Sequence, residues 1–242
     1  MIGVVLAGGH GTRLAPMTNV VNKHLLDVFD QPMVYYPLQA LQRSGITDVV
    51  LVTGAEIEQF KTLLGDGSGL GLNIEYAQQD GAGGIAQALG LTQPHVGDDA
   101  LVAILGDNLF QDELAPYVQT FREQERGARI LLKQVADARR FGVATIDGDR
   151  IKKIEEKPQN PETDMAVTGC YMYDNRVFDI ISTLRPSQRG ELEITDVNNT
   201  YIAAGELQYD ILNGWWTDAG TAPSKLKASI LVALSKGVTF HA

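Results

Sequence analysis

The chain has 242 residues, 44% hydrophobic and 21% charged, which suits one large α/β domain or two small ones and leaves little room for extended disorder. Asp and Glu total 30 against 20 Lys and Arg, a formal charge of −10, so the surface lacks the basic character that nucleic acid or an anionic membrane requires. Cys170 is the only cysteine, which excludes an intramolecular disulfide and a cysteine-based zinc site and favours a buried thiol in a reducing compartment.

The opening MIGVVLAGG is apolar only briefly before its glycines and reads as a first strand, not as a targeting segment. With no apolar run of membrane-spanning length, a cytoplasmic location is expected. Apolar runs at 2–6, 48–54, 72–78 and 100–108 read as strands buried on both faces. Between them 33–45 and 57–67 have helical spacing and end at glycines suited to C-caps. Alternating strands and helices imply right-handed crossovers and a mainly parallel, doubly wound α/β sheet. In the second half, 129–135, 142–158 and 166–174 read as further strands, with a hairpin turn at Asp147-Gly148-Asp149. Helices follow at 175–184, 192–205 and 222–237. No repeat or linker divides the chain, so residues 1–242 are expected to form a single domain with an inserted lobe.

The segment LAGGHGTRLAPMTNVVNKHLL (6–26) concentrates glycine and cation in an acidic chain. Glycines at 8, 9 and 11 let the backbone reach positive φ and approach a ligand without Cβ atoms in the way, and a loop leaving a buried strand can aim successive N–H groups at an anion. The dinucleotide spacing fails, because Leu14 stands where the third glycine belongs. The Walker spacing fails too, because His24 follows Lys23. Arg13 and Lys23 suit a triphosphate attacked at its α-phosphorus.

With these residues in hand, the sequence resembles the sugar-nucleotide pyrophosphorylases, most closely the glucose-1-phosphate thymidylyltransferases, over nearly its whole length. LAGGHGTRLAPMT, NKHLL, DQPMVYYPLQAL, LLGDGSGLGLNIEYA, AVTGCYMYD and GELEITDVN carry the resemblance. It implies a Rossmann-like, nucleotide-diphospho-sugar transferase fold with an inserted sugar-binding lobe, forming one nucleotidyltransferase domain. It implies that Gly8, Gly9, Gly11, Thr12 and Arg13 surround the triphosphate and that Lys23 lies beside the phosphates. Asp107 in LGDN and Asp218 in WWTDAG are implied to hold Mg²⁺, whose preference for oxygen ligands a pair of carboxylates satisfies. Gln79 is implied to read the thymine edge and Gly84 to bring its backbone close. Here Asp80 to Gly83 depart from the family's Pro-Ser-Pro-Asp string, which leaves thymidine and uridine both open. On the sugar side Glu156 is implied to accept hexose hydroxyls, Lys157 to pair with the sugar phosphate, and Gly142 and Val167 to offer backbone contacts, while Phe141 stands where tyrosine is frequent. The histidines at 10, 24, 95 and 241 are scattered, and Trp215 and Trp216 read as packing residues.

The reaction implied is direct displacement by glucose 1-phosphate on dTTP, with Arg13, Lys23 and Lys157 as the catalytic cations. Phosphoryl chemistry of this kind needs positioning and charge neutralisation more than an enzyme nucleophile. The alternatives are the same chemistry with UTP, a glycosyltransferase, for which LGDN lacks an Asp-x-Asp, and a non-catalytic sugar-nucleotide sensor. The family also implies a homo-oligomer. Longer members continue into further C-terminal helices that form a feedback site, so weak or altered inhibition by dTDP-rhamnose is expected here.

Overall fold

A computed structural model describes residues 1–9 and 11–239; His10 and His241 lie outside the described residues. In chain order the elements are β1 (Ile2–Ala7), β2 (Asp27–Val28), β3 (Gln31–Pro32), α1 (Tyr35–Arg43), β4 (Asp48–Thr53), α2 (Ile57–Leu64), β5 (Asn73–Gln78), α3 (Ile85–Gly90), α4 (Gln93–Val96), β6 (Leu101–Leu105), β7 (Asn108–Phe110), α5 (Ala115–Glu123), β8 (Ala128–Gln134), β9 (Gly142–Asp147), β10 (Arg150–Glu156), β11 (Met165–Tyr173), α6 (Val177–Thr183), α7 (Ile194–Ala203), β12 (Leu207–Ile211), β13 (Trp216–Asp218) and α8 (Ala222–Ser235).

One nine-stranded sheet runs through the protein in the order β10-β9-β11-β6-β1-β4-β5, with β8 joined to β11 and β12 joined to β8. Strands β6, β1, β4 and β5 form the parallel block expected from their apolar runs. Beyond β6 the character changes: β11 runs antiparallel to β6 and to β8, and β9 and β10 form the hairpin that turns at Gly148. The inserted lobe is therefore an extension of the same sheet. Along β1 successive residues alternate sides, Val4 and Leu6 packing with α3, α6 and α7, Val5 and Ala7 with α1, α2 and α5. Both faces are thus covered by helices, which is why this strand is an unbroken apolar run.

The run at 72–78 does not share that burial. β5 is the edge strand, and Asn73, Glu75 and Gln78 are exposed while Ile74 is buried, so its alternation reflects one covered face. The run at 100–108 is also divided: β6 ends at Leu105, a turn carries Gly106 and Asp107, and Asn108 begins β7. That division matters for the site, because β7 pairs antiparallel with β13 and sets Asp218 opposite Asn108. α8 then closes a smaller cluster of Val28, Met33, Leu109, Ala219, Ala228 and Val232. Its start is fixed by a capping box in which Thr221 and Ser224 bond reciprocally, with a proline in the first turn.

Candidate active site

The loop after β1 leaves the C-terminal ends of the parallel strands, where ligands gather in open α/β sheets. Gly9 has φ +95° and Gly11 φ +62°, and Gly11 opens the short turn Thr12–Leu14 that presents Arg13. A Cβ at Gly11 would lie 2.9 Å from both Lys23 Cβ and Thr18 Cγ2, so glycine here permits Lys23 to pack under the loop. Leu14, fully buried, anchors the far end of the turn while Thr12 and Arg13 stay exposed.

Lys23 reaches Asp107, its Nζ donating to Oδ2 at 2.6 Å, with only 13% of either side chain exposed. Burial by itself would raise the Asp107 carboxyl, but the Lys23 ammonium and the hydrogen bonds from Lys23 and Asn108 outweigh it and hold the group well below the usual carboxylate range. It is ionised at neutral pH. The adjacent His24 is buried, which pushes its imidazole down to about 3, with the Lys23 charge adding to the effect. It is neutral, with Nδ1 2.9 Å from Asn22 Oδ1, and acts as packing beneath Gly106.

The second carboxylate arrives through the β7–β13 pairing. Ala219 N donates to the Asp107 carbonyl at 2.8 Å, and Asp218 pairs with Arg140 at 3.0 Å. A Cβ added at Gly220 would sit 3.1 Å from Asp107 Oδ2, 3.3 Å from Asp218 Oδ2 and 3.3 Å from Arg13 Nη2. Two carboxylate oxygens and a guanidinium thus face one small cradle that a Cβ at position 220 would crowd. Among the described residues no group of three or more His, Cys, Asp and Glu side chains is arranged to hold a metal. A hard divalent cation held by two carboxylates and completed by substrate oxygens and water fits this donor set.

Two adjoining cavities open on either side of Arg13. The larger, about 300 Å³, is lined by Gly8, Gly9, Gln79, Gly81, Gly84 and Ile85. Gln79 is buried, and its Nε2 donates to Gly84 O at 3.2 Å and to Gln87 Oε1 at 2.6 Å. A Cβ at Gly8 would collide with Gln79 Oε1, so Gly8 makes room for that acceptor. The amide therefore presents its oxygen to the cavity side, the donor being already engaged. Gly84, with φ +95°, is fixed from behind: a Cβ there would lie 2.5 Å from Leu192 O and 2.9 Å from Leu192 N. The sequence expectation that Gly84 serves the ligand is joined by this packing requirement, which nothing in the string DGAGG reveals.

The second cavity, about 180 Å³, is lined by Asp107, Gly142, Glu156, Val167, Thr195, Trp216 and Asp218 among others. Glu156 accepts from Thr195 Oγ1 at 2.8 Å and pairs with Lys157 at 3.1 Å. Lys157 lies just past the end of β10 in the left-handed region, φ +44°, where its N–H donates to Phe141 O at 3.0 Å. A β10 residue continuing the pleat would point elsewhere; this strained step, costing on the order of 1 kcal/mol, turns the ammonium toward the cavity. Trp216 is buried, donates from Nε1 to Asn108 Oδ1 at 2.7 Å and lies 4.9 Å from the Phe141 ring, so it packs the wall as expected.

Arg13, Ile85, Lys157, Arg189 and Glu191 line both cavities. The structure so brings together Gly8, Gly9, Arg13, Gln79, Gly84, Asp107, Gly142, Glu156, Lys157, Val167 and Asp218. Gly11, Thr12 and Lys23 line neither cavity, and Lys23 enters the site through its bond to Asp107. Three contributors escaped the sequence reading: Arg140, Arg189 and Thr195. Arg140 was within reach as the cation beside Phe141, whereas Arg189 sits on a polar segment that reads as an ordinary turn.

A family model for nucleotidyl transferases matches residues 2–233. A glucose-1-phosphate thymidylyltransferase of Neisseria meningitidis is 45% identical over 239 residues, covering 96% of this chain and 82% of the relative, and that of Mycolicibacterium smegmatis is 44% identical with the same coverage. A solved Bacillus anthracis structure assigned as a glucose-1-phosphate thymidylyltransferase, in complex with sucrose, superposes with a TM-score of 0.93 at 49% identity, covering 100% of this chain and 98% of its own. A UDP-glucose pyrophosphorylase complexed with UDP-glucose shares the fold, with a TM-score of 0.85 at 22% identity over 98% and 99% of the two chains.

Proposed function

Because the chain belongs to the nucleotidyl transferase family, we propose that it transfers a thymidylyl group from dTTP to α-D-glucose 1-phosphate, giving dTDP-glucose and pyrophosphate. The observation that carries this reading is the junction: two cavities of different chemistry share Arg13 and Lys157. The Gln79 cavity, lined by glycines and one amide acceptor, suits a pyrimidine carrying N3–H, as thymine does. The Glu156 cavity, with a carboxylate and hydroxyls, suits a hexose.

In the displacement, an oxygen of the sugar phosphate forms a bond to the α-phosphorus of the nucleotide. The bond from that phosphorus to the β-phosphate bridging oxygen breaks, and pyrophosphate leaves with the electron pair. Lys157 holds the attacking phosphate, and Arg13 meets the charge that develops at the α-phosphoryl oxygens. Neither Glu156 nor Asp107 is needed as a nucleophile, and the neutral buried His24 takes no proton. Asp107 and Asp218 would hold Mg²⁺, which supplies charge neutralisation of the triphosphate when bound. Residues 1–242 act as one unit in this account, a reading favoured by the continuous sheet.

Pyrophosphate release with dTTP, glucose 1-phosphate and Mg²⁺ tests the proposal, with UTP as the competing nucleotide. Turnover is expected with dTTP above UTP, and Arg13→Ala is expected to lose on the order of 10² to 10³ in kcat. No release from the wild-type protein, or an Arg13→Ala variant with undiminished turnover, contradicts it.

A further inference from the structure

Among the described residues two buried side-chain polar atoms have no hydrogen-bond partner in the protein: Thr168 Oγ1 and Asn198 Nδ2. Both residues line the Glu156 cavity, and they are 0% and 1% exposed. Buried polar groups are almost always paired, so two orphans on one cavity wall point to a ligand that completes them. We propose that Thr168 and Asn198 are specificity-determining residues that hydrogen-bond hydroxyl groups of the sugar, a deepening that rests on the sugar-phosphate reading above.

Asn198 is held in place. Its Oδ1 accepts from Tyr173 OH at 2.6 Å, and the Tyr173 ring is stacked against Tyr171 and Tyr201 with centroids 6.1 and 5.7 Å away. With the oxygen engaged, the amide nitrogen keeps its donors. Asn198 also lies one turn beyond Thr195 on α7, the same face from which Thr195 bonds Glu156, so the helix offers two polar groups in a row to the cavity. Thr168 comes from β11 within the stretch between Val167 and Tyr171 where pairing with β8 is interrupted. Its neighbour Gly169 is pinned by N–H donation to Asn108 Oδ1 at 3.0 Å.

The chemistry of the pair selects the ligand class. A hydroxyl that can donate or accept, beside an uncharged amide donor, matches neutral hydroxyls and offers no charge to a phosphate. The cations Arg13, Lys157 and Arg189 serve the charged end of the same cavity. A sugar lacking the matched hydroxyl would leave these groups unpaired, which is how a polar site discriminates strongly.

The test is kinetics on glucose 1-phosphate and its 2-, 3-, 4- and 6-deoxy analogues with wild type, Thr168→Val, and the double variant Asn198→Leu with Tyr173→Phe, which removes both ends of that hydrogen bond together. Each variant is expected to lose about 10-fold in kcat/KM for glucose 1-phosphate, the worth of one hydrogen bond. The KM for dTTP should not move. The loss should vanish on the one deoxy analogue that lacks the partner hydroxyl. Thr168→Val should melt at or above the wild-type temperature, because its hydroxyl has no protein partner to lose. Wild-type constants in the variants, or an equal loss on every analogue, would overturn the assignment alone. A wild-type protein that does not turn over glucose 1-phosphate would overturn the proposed function and this assignment with it.

Discussion

Replacing Lys23 with methionine tests the electrostatic base of the site. The substitution keeps most of the side-chain volume and removes the ammonium that lies 2.6 Å from Asp107 Oδ2. At that separation the gross attraction is about 6 kcal/mol for an effective dielectric near 20, and the desolvation of both groups offsets part of it. Breaking one side of such a pair leaves the other charge buried and uncompensated, which costs about 3 kcal/mol or somewhat more. For a chain of this size that is a fall of roughly 6 to 12 °C in Tm. The pH dependence has a definite sign. In the wild type the Asp107 carboxyl is held below its ordinary value, so its stabilisation is present above the unfolded carboxylate pKa of about 4 and is lost only below it. In Lys23→Met burial acts against the Asn108 hydrogen bond without the lysine charge and raises the carboxyl, so the variant loses stability as pH rises above about 4. The gap between the two proteins should therefore widen between pH 4.5 and 7.5. Added Mg²⁺ should raise the Tm of Lys23→Met more than that of the wild type, since the Asp107–Asp218 pair then lacks its lysine. Thermal melts at the two pH values, with and without Mg²⁺, read all three effects. A variant that melts with the wild type at both pH values would refute the reasoning.

Gln79→Leu should raise the KM for the nucleotide about 10-fold with little change in kcat, because it removes the cavity-facing acceptor and no charge; an unchanged nucleotide KM would contradict that role. Gly84→Ala should destabilise by about 2 to 3 kcal/mol, since it combines a left-handed backbone at φ +95° with a contact of 2.5 Å to Leu192 O, and denaturant titration measures it. Cys170 is fully buried, and burial pushes its thiol up to about 12. It should resist a thiol reagent at pH 8 in the native protein and react only on unfolding.

Much of the site was legible because its residues follow strand ends. Apolar runs located β1, β4 and β6, and the loops after β1 and β6 then delivered Arg13 and Asp107 to the ligand-binding end of the sheet. Residues whose roles depend on nonlocal pairing were not legible from pattern. Asp218 reaches Asp107 through β13, a three-residue strand too short to leave a periodic signal, and only the family resemblance pointed to it. β12, at 207–211, pairs parallel with β8 and was missed, because its residues LQYDI mix polar and apolar without the run of a buried strand. β5 reads in sequence as buried on both faces, since its apolar residues do not disclose that it ends the parallel block. Gly220 shows the same limit: its importance lies in side-chain atoms of Arg13, Asp107 and Asp218 that would crowd a Cβ there.

A crystal structure of the protein with dTDP-glucose tests the central claim most directly. The account predicts the thymine beside Gln79, the hexose between Glu156 and Thr195, and the diphosphate linking them across Arg13 and Lys157. A product whose sugar lies outside the Glu156 cavity, or whose diphosphate makes no contact with Arg13 or Lys157, would contradict it.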